Sequence, residues 1–255
     1  MNPSRLRGEV VRAGGLSDGE VSALFELFSK YYRAVNWTRF EADLREKDFV
    51  ILLRDSQSGE MKGFSTQKVM RAEVRGVEVR AIFSGDTIID PAYWGEQELV
   101  RSWCSFAGQV RAEEPETPLY WFLITKGYRT YLYLPVFYND YYPRQESPAP
   151  LFEQAVLNQL ARSKFGSFYD PRNGRIRFPR SMGHLAPELA EVPGARLEDP
   201  RVRFFLERNP EYAKGTELAC LTEVSENNMK SIAKRFYLEG MRLGPIRAAV
   251  PAGAA

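Results

Sequence analysis

The chain has 255 residues, 44% of them hydrophobic and 13% aromatic, enough to bury a sizeable core in one large domain or in one domain with an appendage. Its 35 basic and 33 acidic residues are mixed along the chain and leave a net charge of +2, so the concentrated basic footprint of a nucleic-acid binder is missing. Cys104 and Cys220 lie far apart without metal-ligand spacing, which argues against a disulfide framework or a metal site and fits a reducing, cytoplasmic setting.

Met1 to Gly15 is short of apolar residues, and no apolar run reaches the roughly 20 residues that span a bilayer, so neither a signal peptide nor a membrane span is expected. Arg7 to Ala13 holds Val10 and Val11 between charges and ends at Gly14-Gly15, the pattern of a short opening strand and a turn. Ser17-Asp18-Gly19-Glu20 has the form of a capping box, and Val21, Leu24, Phe25, Phe28, Tyr31 and Tyr32 follow at helical spacing. A second short helix is expected over Thr38 to Glu46. The apolar run Phe49 to Leu53 predicts a buried strand, Met61 to Ala72 its return, and Val77 to Ile89 a third strand with Val77, Val79, Ala81 and Phe83 on one face. Together these make an antiparallel meander.

Glu96 to Arg111 sets Leu99, Val100, Trp103, Phe106, Ala107 and Val110 at helical spacing and leads to a buried strand over Leu119 to Ile124. A helix between the two strands makes that pair a right-handed parallel crossover. Lys126-Gly127 closes the strand, and a short aromatic helix begins near Tyr128 and is bent or ended by Pro135. Arg144 to Pro150, rich in Pro, Ser and charge, is the best internal boundary. It divides a core over 1–145 from an extension over 146–255, expected to pack on that core. In the extension, Pro150 to Arg162, Pro200 to Glu207 and Ser225 to Leu238 read as helices, the last with Ser225 as cap. Arg175 to Phe178 and Glu217 to Val224 read as strands, Ser181 to Pro200 as mostly loop, and Pro251 to Ala255 as a frayed tail.

The order strand, helix, helix, three-strand meander, helix, strand, helix over roughly Arg7 to Tyr142 resembles the GNAT superfamily of N-acyltransferases. The resemblance implies an α/β fold, a mixed sheet with an antiparallel meander and one helical crossover. In that family the fourth and fifth strands splay apart, and the pantetheine arm of an acyl thioester pairs with the exposed edge of the fourth. Backbone N–H groups at the next helix N-terminus hold the pyrophosphate. The resemblance therefore implies acyl transfer to an amine or similar small-molecule acceptor. The co-substrate would be acyl-CoA or the acyl-pantetheine of an acyl-carrier protein, with no permanently bound cofactor. The segment at the anion loop is Tyr93-Trp94-Gly95-Glu96-Gln97-Glu98. Gly95 and Gln97 resemble the family pattern, whereas Glu96 and Glu98 put two carboxylates where a phosphate would sit.

The sharpest polar cluster is Ser84-Gly85-Asp86-Thr87, in the middle of a core strand. A glycine there marks a bulge or a close backbone approach, and Asp86 is the candidate general base beside Ser84, Gly85 and Thr87 as binding residues. The competing reading is that these side chains tie down neighbouring loops by hydrogen bonds. Seven of the thirteen tyrosines crowd between Tyr120 and Tyr142. By resemblance, Tyr131 or Tyr138 would protonate the leaving thiolate, and the rest read as packing. Tyr93 and Trp94 line an acyl or aromatic pocket or else staple the helix entry. Lys126 and Arg129 meet a phosphate or a carrier protein or else are simply solvated. The single histidine, His184, reads as an exposed loop residue, and both cysteines as core packing. Two alternatives stand beside the enzyme: a non-catalytic GNAT-shaped binding or scaffold protein, and transfer from an aminoacyl-tRNA, which the mixed charge disfavours.

Overall fold

The capping box forms, and it sets the start of the first helix. The Ser17 hydroxyl accepts the Glu20 N–H at 3.3 Å and the Glu20 carboxylate accepts the Ser17 N–H at 3.0 Å, opening α1 (Asp18–Tyr31) after β1 (Leu6–Arg12). These and all coordinates below come from a computed structural model that describes residues 4–179 and 182–246; the Pro251–Ala255 tail lies outside them. β2 (Tyr32–Arg33) and α2 (Trp37–Arg45) follow, the latter capped by the Asn36 side chain on the Arg39 N–H. β3 (Phe49–Asp55), β4 (Met61–Val74) and β5 (Val77–Ile89) form the expected meander, and α3 (Glu98–Glu113) crosses to β6 (Leu119–Thr125). The aromatic helix divides into α4 (Tyr128–Tyr131) and α5 (Tyr133–Phe137). Pro135 lies inside the first turn of α5, where its missing N–H costs no helical bond.

The extension continues the same sheet. Its elements are α6 (Leu151–Phe165), β7 (Tyr169–Asp170), β8 (Arg175–Ile176), β9 (His184–Leu185), α7 (Pro187–Ala190), α8 (Gly194–Leu197), α9 (Pro200–Arg208), β10 (Glu217–Glu223) and α10 (Ser231–Leu243). Among the described residues the main sheet runs β1-β3-β4-β5-β6-β10-β8-β7. β5 and β6 pair in parallel, and the other neighbours in this sheet pair antiparallel. Thus β10 covers the outer edge of β6, an edge that would otherwise offer unpaired backbone groups.

Alternation along the strands sends apolar side chains to both faces. On one face Ile51, Leu53 and Ile82 pack with Trp103 and Phe106 of α3 and Phe236 of α10. α10 meets α3 backbone to backbone, because a Cβ on Gly240 would lie 1.9 Å from the Ser105 carbonyl and one on Gly108 2.1 Å from the Tyr237 carbonyl. On the other face Val50, Leu52 and Phe64 pack with Leu24 and Phe28 of α1 and Phe40 of α2, while Val79, Ala81 and Phe83 pack with Val156 and Leu160 of α6.

Two readings of the extension are corrected. The last helix begins at Ser231 rather than Ser225, because the Asn228 amide is drawn to the carbonyls of Asp140 and Glu223, at 2.9 and 2.8 Å, and the Lys230 N–H to that of Phe137. These partners hold residues 225–230 in a turn. His184 is half-buried and lies in a two-residue strand, paired with Arg33 of β2.

Candidate functional site

The pairing of β5 with β6 runs from Arg80 opposite Leu119 to Ser84 opposite Leu123 and then stops. Beyond that point β5 remains attached to β4 and β6 to β10, so the two neighbours part at their C-terminal ends. A bulge coincides with the parting. Ser65 of β4 faces Thr87 and Gln67 faces Ser84, leaving Gly85 and Asp86 together across from Thr66. Glycine is needed there for space: a Cβ on Gly85 would lie 2.8 Å from Thr66 Oγ1 and 3.0 Å from Lys47 Cε.

On the α3 face the bulge is pinned by a buried polar network. Ser84 donates to Gln67 Oε1 at 2.6 Å and accepts from the indole N–H groups of Trp121 at 2.9 Å and Trp103 at 3.2 Å. Gln67 donates on to Ser65 at 2.7 Å, and Ser65 meets the Thr87 hydroxyl at 2.7 Å. Every side chain in this chain has a partner, which is the condition under which buried polar groups rigidify a core. Ser84 therefore has a structural partner for each of its lone pairs and its proton.

The opposite face carries a cluster of titratable groups. The parted strands open a cavity of about 900 Å³ lined by Gly85, Asp86 and Thr87 of β5, Lys126 and Gly127 after β6, Tyr32, Asp43 and Lys47 from the α1–α2 region, and Lys164 of α6. Asp86 sits in its wall among Lys47, Lys126, Asp43 and Glu217. Burial, and next the charge of Asp43, push the Asp86 carboxyl up to about 6, against the pull of Lys47 and Lys126. Both lysines are held: Lys47 Nζ by the Asp43 carboxylate and, at 3.0 Å, the Asp43 carbonyl, and Lys126 Nζ by Glu217 and the Gly183 carbonyl, each at 3.2 Å. A buried carboxyl raised toward neutrality and set in a cleft has the environment that general-base chemistry requires.

At the rim, Trp94 and Gly95 lead into α3, whose first residues have no side-chain cap. Gly95 has φ +95°, a left-handed conformation suited to glycine. The two rim carboxylates are bound away from the helix N-terminus. Glu98 accepts the Gly8 N–H at 3.0 Å, and Glu96 accepts from Arg5 at 2.8 Å, a contact that holds the Glu96 carboxyl below its ordinary range. The expected repulsion of an anion is therefore reduced by partners that only the fold supplies. Arg129 stacks over Trp94 at 4.5 Å and over Tyr128 at 4.7 Å, and donates to the Leu189 carbonyl at 2.9 Å.

The cavity thus brings together Asp86, Gly85, Thr87, Trp94, Gly95, Lys126 and Arg129. It leaves out Ser84, Tyr93, Gln97, Tyr131 and Tyr138. Tyr93 is turned to the outside, donating to Asp55 at 2.7 Å beneath Arg5. Tyr131 is packed against Tyr141, Phe204 and Phe205 and donates to the Pro143 carbonyl at 2.8 Å. Tyr138 borders a second, apolar cavity of about 40 Å³ on the α3 side, where its hydroxyl has no partner among the described residues. The tyrosines that do line the large cavity are Tyr31, Tyr32, Tyr128 and Tyr133. Tyr133, shared by both cavities, is pushed up to about 12 by burial. Sequence reasoning missed Lys47, Lys164, Glu217 and Gln67. The first three look like ordinary charges at element ends, and no local pattern marks them.

No group of three or more His, Cys, Asp or Glu among the described residues is placed to hold a metal ion, and no described helix is long and apolar enough to cross a membrane. A mixed sheet, a four-strand antiparallel run joined by one crossover to a parted parallel neighbour, and a bulge at the parting define a mixed α/β fold. Three further strands, β10, β8 and β7, continue the sheet beyond β6.

No protein-family model matches the chain, and no curated protein matches it. Among solved structures it is similar to a protein of Enterococcus faecalis V583 described as a probable N-acyltransferase, at 15% identity and TM-score 0.38, over 53% of this chain and 33% of that one. It is similar also to the GNAT family N-acetyltransferase YhbS of Escherichia coli in complex with CoA, at 15% identity and TM-score 0.35, over 54% and 71%. A third likeness is to the N-myristoyltransferase of Saccharomyces cerevisiae with bound myristoyl-CoA, at 9% identity and TM-score 0.36, over 49% and 30%. The chain spans about a third of the length of the first and the last of these.

Proposed function

We propose that the protein is an acyltransferase that moves an acyl group from a pantetheine thioester to an amine acceptor, with Asp86 as general base. The observation that carries this is a carboxyl raised to about 6 at the point where β5 and β6 part into a cavity of about 900 Å³. Asp86 takes a proton from the ammonium of the acceptor, and the freed amine attacks the thioester carbonyl. The tetrahedral adduct collapses with cleavage of the C–S bond. Tyr133, which burial keeps protonated at neutral pH, donates to the departing thiolate and recovers a proton from the nitrogen of the adduct. The products are an amide and a free thiol, with one proton passing from Asp86 to solvent. Arg129 and the uncapped start of α3 are the anion partners for the donor's phosphates. A cytoplasmic setting, where both buried cysteines stay reduced, is part of this reading.

The test is release of free thiol from acetyl-CoA, longer acyl-CoAs and acyl-carrier protein in the presence of a panel of amines, alongside thermal melting with each donor. The pantetheine arm is common to both donor types, so both are assayed. A donor at 100 times its Kd stabilises the fold by about 2.7 kcal/mol. The competing scaffold reading draws on Glu96, which still lies at the rim. It predicts no thiol release and no difference between wild type and Asp86→Asn.

A further inference from the structure

Lys164 stands apart from the other charged groups of the cavity. Its side chain is 12% exposed, yet among the described residues its nitrogen meets one carboxylate, Glu46, at 3.6 Å, beyond hydrogen-bond distance, and Glu46 is itself 62% exposed. The remaining contacts are aromatic: Nζ lies 4.7 Å from the Phe83 ring centroid and 5.7 Å from that of Phe165. Lys47 and Lys126 each meet two protein oxygens, whereas among the described residues the three N–H groups of Lys164 have none in hydrogen-bond reach. A desolvated ammonium of this kind is costly unless something pairs with it.

The neighbourhood adds to the cost. Lys47 flanks the same Phe83 ring at 6.0 Å, and Lys68, opposite Phe83 on β4, donates a hydrogen bond to the Glu46 carbonyl at 2.7 Å. Against these three ammonium groups stand the carboxylates of Asp43 and Glu46, so the corner carries excess positive charge. Burial and the charge of Lys47 both pull the Lys164 ammonium below its ordinary range. Lys164 belongs to α6, in the extension, while Asp86, on the same side of the sheet, belongs to the core. The cavity spans the distance between them, with Phe28, Phe40, Phe83, Phe165 and Phe178 in its wall.

We propose that Lys164 binds an oxyanion of the acceptor, so that the acceptor is an amine that also carries a carboxylate or phosphate. Its ammonium lies at Asp86 and its anion at the Lys164 corner, a charge complement at each end of an aromatic slot. This rests on the acyl-transfer reading for the role of the amine, but the binding site itself is tested without any thioester.

The experiment is calorimetric binding of matched probes to the full chain: L-phenylalanine against phenethylamine for a carboxylate, and O-phosphoethanolamine against ethanolamine for a phosphate. The anionic member of one pair is expected to bind about tenfold or more tightly than its neutral-tailed partner, equivalent to about 1.4 kcal/mol. Lys164→Gln removes that preference, and Asp86→Asn keeps it while weakening both members. Equal affinity within both pairs, absence of binding by all four probes, or a preference that survives Lys164→Gln overturns the proposal. If Lys164→Gln does not fold, the wild-type preference must still shrink as NaCl is raised, because an ionic contact is screened; a salt-independent preference overturns it equally. Failure of acyl transfer appears separately, as absent thiol release in the presence of a bound anionic amine.

Discussion

Ser84 and Asp86 are two residues apart on one strand and differ in almost everything that matters for chemistry. Ser84 points toward α3, where two indoles and an amide satisfy its hydroxyl. Asp86 points to the opposite face, into the cavity, where burial holds its carboxyl near 6. The bulge at Gly85 decides which residue faces which side, and it aligns the network on one face with the parting of β5 and β6 on the other. Polarity inside a core strand thus has two uses, and the face of the sheet separates them. A satisfied network supplies rigidity, while a carboxyl that the fold leaves close to its titration point is free to exchange a proton, the property the proposed general base needs.

The largest expected effect breaks the reactive side. Asp86→Asn should lower thiol release by about 10²- to 10⁴-fold, the usual worth of a positioned general base. The same variant should melt higher than wild type at pH 7 and above. A folded carboxyl raised above its unfolded value makes the native state bind more protons, so stability is lost as pH rises from about 4 through about 6, and asparagine removes that loss. An activity loss without a higher melting temperature would separate the catalytic role from the burial that is said to tune it.

Breaking the structural side comes next. Ser84→Ala strands the Trp121 N–H and should cost about 1–3 kcal/mol of stability, read from denaturant melts, with a smaller change in activity than Asp86→Asn. If activity fell by orders of magnitude while stability held, Ser84 would belong to the reactive face after all. A pH–rate profile sharpens the contrast further. Activity should rise through about pH 6 as Asp86 ionises and flatten above it, and Ser84→Ala should leave that inflection in place.

Smaller effects follow at the bulge and in the tyrosine-rich segment. Gly85→Ala pushes on Thr66 Oγ1 and on the flexible end of Lys47, so it should displace the Lys47 ammonium and move the Asp86 inflection with only a modest loss of stability. Tyr131→Phe should scarcely alter turnover, since its hydroxyl is spent on the Pro143 carbonyl outside the cavity. Tyr133→Phe should slow thiol release several-fold, and equal effects of the two substitutions would remove Tyr133 from the proposed proton path.

The elements of the core were readable from the chain alone because they rest on local signals. The Ser17 to Glu20 capping box, the alternation Val79, Ala81, Phe83 and the 3.6-residue spacing of Leu99, Trp103 and Phe106 each need only near neighbours in sequence. The polar cluster at Ser84 to Thr87, and the glycine that opens the strand there, were visible for the same reason. Local rules failed at Ser225, where partners more than 80 residues away, the carbonyls of Asp140 and Phe137, take the Asn228 side-chain amide and the Lys230 N–H before a helix can begin.

Tertiary structure alone decided the rest of the site. It placed Tyr131 in a packed interior and Tyr133 at the cavity, though both belong to the same aromatic run. It turned Glu96 onto Arg5 and Glu98 onto Gly8 of β1, joined Lys126 to Glu217 across about 90 residues, and brought Lys164 from the extension to the Phe83 ring. A residue's type and spacing fix the element it joins, because those forces act within a turn or a strand pair. Its ionisation and its access to a substrate depend on what the fold packs around it, and that information lies at long range in the chain.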